Sequence, residues 1–189
     1  GASDPGSPGA IDLVMKRSED GGRTWSSLMI VDSGPAIDFA NPTPLFDALT
    51  NTAFIVYDQF PDACGSNQDC VGPGNSPDPR DKNQVVWYRT STDNGLTWPV
   101  ISKIIRKGNN VDEPAIAELQ NGRLILVTRP DGAVFFSDDR GVNWQDSDTR
   151  IVKQGRFKAP QLIVLRDGTV VVVATWRNLG VWISKDDGR

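Results

Sequence analysis

Acidic and basic side chains are the groups in this sequence that could do chemistry, because the 189-residue chain contains no histidine. That absence excludes a Ser-His-Asp triad and the usual zinc sites built on imidazole. Carboxylates, arginine, tyrosine and lysine must therefore supply any catalysis. Glu113 and Arg129 lie 16 residues apart, and the guanidinium fork of an arginine matches a ligand carboxylate in bidentate fashion.

The alternative for this pair is a purely structural role. Glu113 would then be a surface carboxylate, and Arg129 a strand-end arginine before a Pro-Asp-Gly turn. A surface salt bridge between them would contribute under about 1 kcal/mol to stability.

Three further charged residues occupy comparable places. Asp58 and Arg177 end predicted strands and could line the same pocket as the first pair, although such residues are more often simply solvated. Asp4, with Asp12 as its substitute, lies just before another predicted strand.

An octapeptide that recurs along the chain indicates the architecture that positions these residues. It occurs as SEDGGRTW at 18–25, STDNGLTW at 91–98, SDDRGVNW at 137–144 and a shortened SKDDGR at 184–189. Its aspartates are 73, 46 and 47 residues apart. A period of 46 or 47 suits one four-stranded blade of a β-propeller, and the spacing of 73 is one period plus an insertion.

The strand pattern within each period predicts an all-β fold. The third unit reads EPAIAEL, RLILVTR, AVFFS and TRIVK, with turns between them. The second and fourth units follow it, and the first strand of the second unit, PTPLFDA, is predicted to begin at Pro42. Short Val- and Ile-rich runs with 18 glycines and 13 prolines agree with this pattern. The predicted segments are 1–36 (end of the first blade), 37–107 (second blade, with an insertion at 59–84), 108–154 (third blade) and 155–189 (incomplete fourth blade).

The octapeptide has the composition of a turn between the third and fourth strands. A short carboxylate can accept backbone N–H groups across the bend, and glycine takes a positive-φ position. The tryptophan is expected to bury its ring between sheets. Calcium or sugar binding by the aspartates is the less favoured alternative. The residues concerned are Asp20, Trp25, Asp93, Trp98, Asp139, Trp144 and Asp186.

Strand direction predicts where a functional site lies. Successive antiparallel strands alternate in direction, so the octapeptide turns share one face and the remaining connections share the other. Glu113, Arg129 and the 59–84 insertion belong to this second, loop-bearing face. The insertion contains Cys64 and Cys70, which would form either a small disulfide loop suited to an oxidising compartment or two free thiols.

Charge and hydropathy exclude some partners. The formal net charge is −4 and the isoelectric point is near 4.8, which argues against a nucleic-acid or anionic-membrane partner. The longest apolar stretch, 169–176, is far shorter than the roughly 20 residues that a membrane-spanning helix needs. The chain opens in mid-pattern, so we expect its protein to begin upstream. We expect no cofactor and no metal.

The S-x-D-x-G-x-T-W repeats resemble the Asp boxes of the sialidase (neuraminidase) superfamily. VDEPAIAELQNGRLILVTR at 111–129 is similar to the superfamily segment in which a glutamate precedes an E-L-x-D-G-R turn and an arginine follows at a set distance. SDPGSPGAIDLVMKRSEDGGRTW at 3–25 resembles the stretch that runs from the acid/base aspartate into the first Asp box. The resemblance implies a six-bladed β-propeller, of which about three to four blades are present.

The resemblance also implies an activity and roles. Glu113 would be the base that makes a tyrosine nucleophilic, Arg129 one of three arginines that bind a sialic acid carboxylate, and Asp4 the general acid/base. The reaction would be retaining hydrolysis of terminal sialic acid from a glycan or similar acidic sugar, outside the cytoplasm. Tyr57 and Tyr88 lie in the second blade, whereas the superfamily nucleophile comes from a late blade. We therefore expect the tyrosine and two arginines outside this segment, which would be inactive alone. The alternative is a non-catalytic propeller that binds glycans or proteins.

Overall fold

The computed structural model describes residues 11–34, 37–48, 50–61, 85–104, 111–152, 157–176 and 178–188. Within these ranges the regular structure consists of β-strands, and no helix has the length and apolar character needed to cross a membrane. The all-β prediction is confirmed. The strands are β1 Leu13–Met15, β2 Met29–Asp32, β3 Ile37–Asp47, β4 Thr52–Pro61, β5 Val85–Ser91, β6 Val100–Ile104, β7 Asp112–Glu118, β8 Leu124–Arg129, β9 Ala133–Ser137, β10 Gln145–Arg150, β11 Lys158–Val164, β12 Val170–Trp176 and β13 Asn178–Ser184.

The described strands form four successive antiparallel sheets. The second and third sheets each have four strands, in the orders β3-β4-β5-β6 and β7-β8-β9-β10. The first sheet pairs β1 with β2, and the last has the order β11-β12-β13. Each sheet is therefore a meander in which neighbours along the chain are neighbours in space. The exact segment boundaries at 36, 107 and 154 stay predictions.

The core lies between consecutive sheets, and β8 shows why its sequence is almost wholly apolar. Leu124 and Leu126 pack into the cluster shared with the second sheet, whereas Ile125 and Val127 pack into the cluster shared with the last sheet. Side chains alternate between the two faces of a strand, so a strand covered on both faces needs apolar residues throughout. The run LILV satisfies that requirement.

A β-bulge before a proline recurs in the first strand of three sheets. Asn41, Glu113 and Ala159 have φ values of 52°, 46° and 47°, and the pairing register shifts at each of them. The strand β3 consequently starts at Ile37 and continues through the Asn41–Pro42 pair, whereas the sequence pattern predicted a start at Pro42. That predicted start was wrong because the bulge accommodates the proline without ending the strand.

The fourth strand of the third sheet also differs from its prediction. The pattern TRIVK predicted a strand over 149–153, but β10 covers Gln145–Arg150 and begins directly after the octapeptide turn. Its residues are mostly exposed and polar, so apolar alternation gave no signal for it.

The octapeptides form turns with the predicted hydrogen bonds. In the second one, Asp93 accepts backbone N–H groups from Leu96 at 3.0 Å and Thr97 at 2.9 Å, as well as the Thr97 hydroxyl at 2.5 Å. Gly95 has a φ of 81°, the left-handed conformation that glycine adopts without steric cost. In the third turn the amide of Asn143 replaces the threonine hydroxyl and donates to Asp139 at 2.7 Å.

The tryptophans of these turns pack against the preceding sheet. Trp98 lies against Met15, with Nε1 3.1 Å from the sulfur, and Trp144 meets the ring of Tyr88 edge-on at 5.8 Å. Trp25 belongs to the first described sheet, and its ring is 60% exposed. The predicted burial is therefore wrong at Trp25, because no sheet precedes it among the described residues.

Replacing Thr97 should change the titration of Asp93. The hydroxyl and backbone N–H of Thr97 stabilise the charged carboxylate and lower the pKa of Asp93 from 3.8 to about 2. We expect Thr97→Val to raise this pKa, as followed by carboxyl NMR titration. Thr97→Asn is the matched control and should keep the pKa low, since Asn143 does so for Asp139.

The same titration fixes the sign of the effect on stability. A depressed pKa stabilises the turn at pH values above about 4, and this contribution is lost as the pH falls through about 2. Thr97→Val should lower the stability of the turn above pH 4 and narrow the pH range over which the Asp93 carboxylate stabilises it. An unchanged Asp93 titration in Thr97→Val would contradict the assignment.

Candidate functional site

The three bulges lie side by side at the end of the sheets opposite the octapeptide turns. They line a cavity of about 190 Å³. Its walls are three successive X–Pro segments, one from each of three sheets. The lining residues are Asn41, Pro42, Thr43, Glu113, Pro114, Ala159, Pro160 and Gln161.

Both carboxylate oxygens of Glu113 are held by neighbours. Oε1 lies 3.3 Å from Nη1 of Arg129, and Oε2 accepts the backbone N–H of Ala159 at 2.5 Å. The φ of 46° places Glu113 in the left-handed region, which costs a non-glycine residue about 1–3 kcal/mol. The surrounding contacts must offset that cost.

Arg129 stands opposite Asp112 in the register of β7 and β8. Its Nη1 is 3.1 Å from Oδ2 of Asp112, so one guanidinium nitrogen contacts two carboxylates, those of Asp112 and Glu113. The side chain of Arg129 is only 17% exposed, which distinguishes this cluster from a solvated surface salt bridge. The sequence prediction placed Glu113 and Arg129 on the same face, and the structure brings the two side chains into contact.

Asp58 lies behind Glu113 with no exposed surface. Its Oδ2 accepts the backbone N–H of Glu113 at 2.8 Å and the side-chain amide of Asn41 at 2.8 Å. Burial raises the pKa of Asp58 well above its usual range, and the charge of Asp112 raises it further. The carboxyl group of Asp58 thus lies in the protein interior, and its role in substrate binding stays a prediction.

The other residues named from the sequence fall into two groups. Asp4, Arg177, Cys64 and Cys70 lie outside the described residues. Tyr57 and Tyr88 are fully buried, and burial raises the pKa of both phenols. Neither tyrosine lines the cavity, and the expectation that the nucleophile comes from elsewhere stays a prediction.

Sequence reasoning missed three contributors to the site, namely Asn41, Asp112 and the backbone N–H of Ala159. A signal for two of them was present, because Asn41, Glu113 and Ala159 each precede a proline near the start of the first strand of their sheet. Aligning the units on that proline would have identified equivalent positions. The cluster contains three carboxyl groups and one guanidinium, and in chemical terms a carboxylate can accept a proton while a guanidinium can bind an anion.

Comparison with known proteins adds sequence similarity to this geometry. No protein-family model matches the chain. A curated sialidase from Micromonospora viridifaciens is 40% identical over 98 residues, which cover 48% of this chain and 14% of that protein. A sialidase from Vibrio cholerae is 30% identical over 76 residues, which cover 36% of this chain and 10% of that protein. The matched part is thus a small share of each relative.

The fold comparison covers the whole chain. A mutant of the NanB sialidase from Streptococcus pneumoniae superposes with a TM-score of 0.72 and 15% sequence identity, over 100% of this chain and 46% of that one. The resemblance to the sialidase superfamily is confirmed. The four described sheets therefore have the architecture of a sialidase-type β-propeller. The three bulges lie at one end of these sheets.

Replacing Asp58 by asparagine should alter the dependence of stability on pH. Because the pKa of Asp58 is raised in the folded state, the folded protein binds a proton that the unfolded protein releases above about pH 4. Among the described residues the charged group that acts on Asp58 is Asp112 from β7, while Asn41 and the backbone N–H of Glu113 donate hydrogen bonds to it. Stability from Asp58 is present below its unfolded pKa and is lost as the pH rises through the folded pKa.

The side chain introduced in Asp58→Asn does not titrate, so this variant lacks the pH-dependent proton release of the wild type. We therefore expect its free energy of unfolding, measured by urea denaturation, to rise relative to the wild type between pH 4.5 and pH 8. If the difference between the two proteins is the same at both pH values, Asp58 does not carry a proton in the folded state.

Proposed function

We propose that the protein containing this chain is an exo-α-sialidase that removes terminal sialic acid from glycoconjugates. The observation that carries the proposal is the contact between Arg129 and Glu113, which lines the cavity at the loop-bearing face. Sequence similarity to curated sialidases supports the substrate class, since a fold alone does not determine a function.

Arg129 would bind the carboxylate of the sugar. A guanidinium presents a planar fork to a carboxylate, and the low exposure of Arg129 limits competition from water. The neighbouring carboxylates of Asp112 and Glu113 orient that guanidinium before the substrate arrives.

Glu113 would act on a tyrosine supplied from outside these residues. It would take the phenolic proton as the tyrosine oxygen attacks the anomeric carbon, while Asp4 protonates the leaving oxygen as the glycosidic bond breaks. Water would then release the sugar from the tyrosine with retention of configuration. A neutral tyrosine avoids the repulsion that a carboxylate nucleophile would meet at a centre already carrying a carboxylate.

The organisation of the whole protein belongs to the same proposal. Residues 1–36, 37–107, 108–154 and 155–189 would belong to four successive blades, with the remainder of the propeller needed for closure and for activity. The protein would act outside the cytoplasm, where Cys64 and Cys70 can form a disulfide.

Glu113→Gln tests the proposal in the full-length protein. With a fluorogenic sialoside as substrate, we expect kcat to fall by about 10²- to 10⁴-fold, the usual contribution of general acid–base catalysis. Glu118→Gln is the matched control, because Glu118 lies in the same strand but at the opposite end, where it contacts Arg140. Its kcat should stay within about twofold of the wild type.

Two outcomes would count against the proposal. Hydrolysis that Glu113→Gln leaves unchanged would show that Glu113 is not the base. Binding of sialosides without hydrolysis by the wild type would indicate a glycan-binding propeller instead of an enzyme.

A further inference from the structure

A buried pair of carboxyl groups supports the bulge that carries Glu113. Asp58 is in β4 of the second sheet, and Asp112 is in β7 of the third sheet, next to Glu113. Both are buried, and Asn41 contributes an amide that lies 2.8 Å from Asp58 and 3.5 Å from Asp112. The pair thus bridges two sheets directly beneath the candidate base.

The backbone N–H groups of two bulges are bound by carboxyl groups from the preceding sheet. The N–H of Glu113 donates to Asp58 Oδ2 at 2.8 Å and also to Oδ1 of its chain neighbour Asp112 at 2.7 Å, and Glu113 in turn accepts the N–H of Ala159 at 2.5 Å. A bulge removes a residue from the regular ladder, so its N–H needs another acceptor. Asp58 and Glu113 therefore act alike, because each accepts the backbone N–H of a bulge residue in the following sheet.

We propose that Asp58 is a positioning residue for Glu113. Its buried carboxyl group accepts the Glu113 N–H and holds the bulge in which the Glu113 side chain faces the cavity and Arg129. The proposal rests on the proposed function only where it treats Glu113 as the base, because the effect on the Glu113 backbone is independent of activity.

The charges around Asp58 explain how a second buried acid is tolerated there. Asp112 and Glu113 already share the single guanidinium of Arg129. Among the described residues no ion pair joins Asp58 to a cation, and burial together with the charge of Asp112 raises the pKa of Asp58. The Oδ1 atom of Asp58 is buried with no hydrogen-bond partner among these residues.

This arrangement predicts different behaviour for two substitutions of similar size. Asp58→Asn retains a carbonyl oxygen for the Glu113 N–H and places an amide donor where the acid carries its proton. Asp58→Leu fills the space and removes the buried acid, but it offers no acceptor. A purely space-filling role would make the two variants equivalent, whereas a positioning role separates them.

Amide hydrogen exchange of Glu113, followed by NMR in the full-length protein with ¹⁵N-labelled glutamate, measures the effect directly. We expect Asp58→Leu to accelerate exchange of the Glu113 amide by about tenfold or more, because the acceptor from the preceding sheet is lost and only Asp112 Oδ1 remains. Asp58→Asn should stay within about threefold of the wild type. If Asp58→Leu does not fold, Asp58→Ala is used in its place.

Asp47→Ala is the matched control. Asp47 is also a buried aspartate of the second sheet, but it lies at the opposite end of β3 and binds Arg140 and Thr50. Its replacement should lower overall stability without selectively exposing the Glu113 amide. Unaltered Glu113 exchange in Asp58→Leu, or equal acceleration in Asp58→Asn and Asp58→Leu, would overturn the proposal.

Kinetics on a sialoside separate this inference from the proposed function. If Glu113→Gln leaves hydrolysis unchanged, the catalytic assignment fails while the exchange result stands. When Glu113 is the base, Asp58→Leu should lower kcat with little change in KM, and Asp58→Asn should restore kcat. Normal kcat in Asp58→Leu despite a freely exchanging Glu113 amide would show that catalysis does not depend on this positioning.

Discussion

The backbone bulge before a proline is the constraint on which the site depends. It turns one N–H group per sheet out of the strand ladder, and a buried N–H must find another acceptor. For Ala159 that acceptor is Glu113 of the preceding sheet, and for Glu113 it is Asp58 of the preceding sheet together with the chain neighbour Asp112. The contacts that satisfy the bulges therefore also determine how neighbouring sheets meet, so the packing of the sheets and the geometry of the site have one cause.

A consequence is that no single sheet contains the site. Glu113 and Arg129 come from the third sheet, but the second sheet supplies Asp58 and the last sheet supplies the N–H of Ala159. Burial then limits the number of charges, because Arg129 contacts the carboxylates of Asp112 and Glu113 while Asp58 is buried beside Asp112. The raised pKa of Asp58 favours its neutral form, which lowers the charge repulsion with Asp112.

Much of this architecture could be predicted from the sequence, whereas the internal part of the site could not. The spacing of Asp93, Asp139 and Asp186 indicated repeated four-stranded units, and strand ends placed Glu113 near Arg129. The burial of the Asp58 side chain was not predictable from the pattern of β4 alone. Its burial depends on contacts with Asn41 and Glu113 that are remote in sequence.

The repeated sheets also show which equivalent positions carry different residues and which carry the same ones. The pairing register makes three positions equivalent, since Asp58 faces Ala40, Arg129 faces Asp112 and Thr175 faces Lys158. Aspartate, arginine and threonine thus occupy the same place in successive sheets. The octapeptide turns at the other end, in contrast, keep nearly the same residues. A turn that only joins two strands can repeat unchanged, but a site that binds an anion beside a base requires unlike groups around one cavity. Differences between equivalent positions are therefore a better guide to the site in this chain than the repeated motif is.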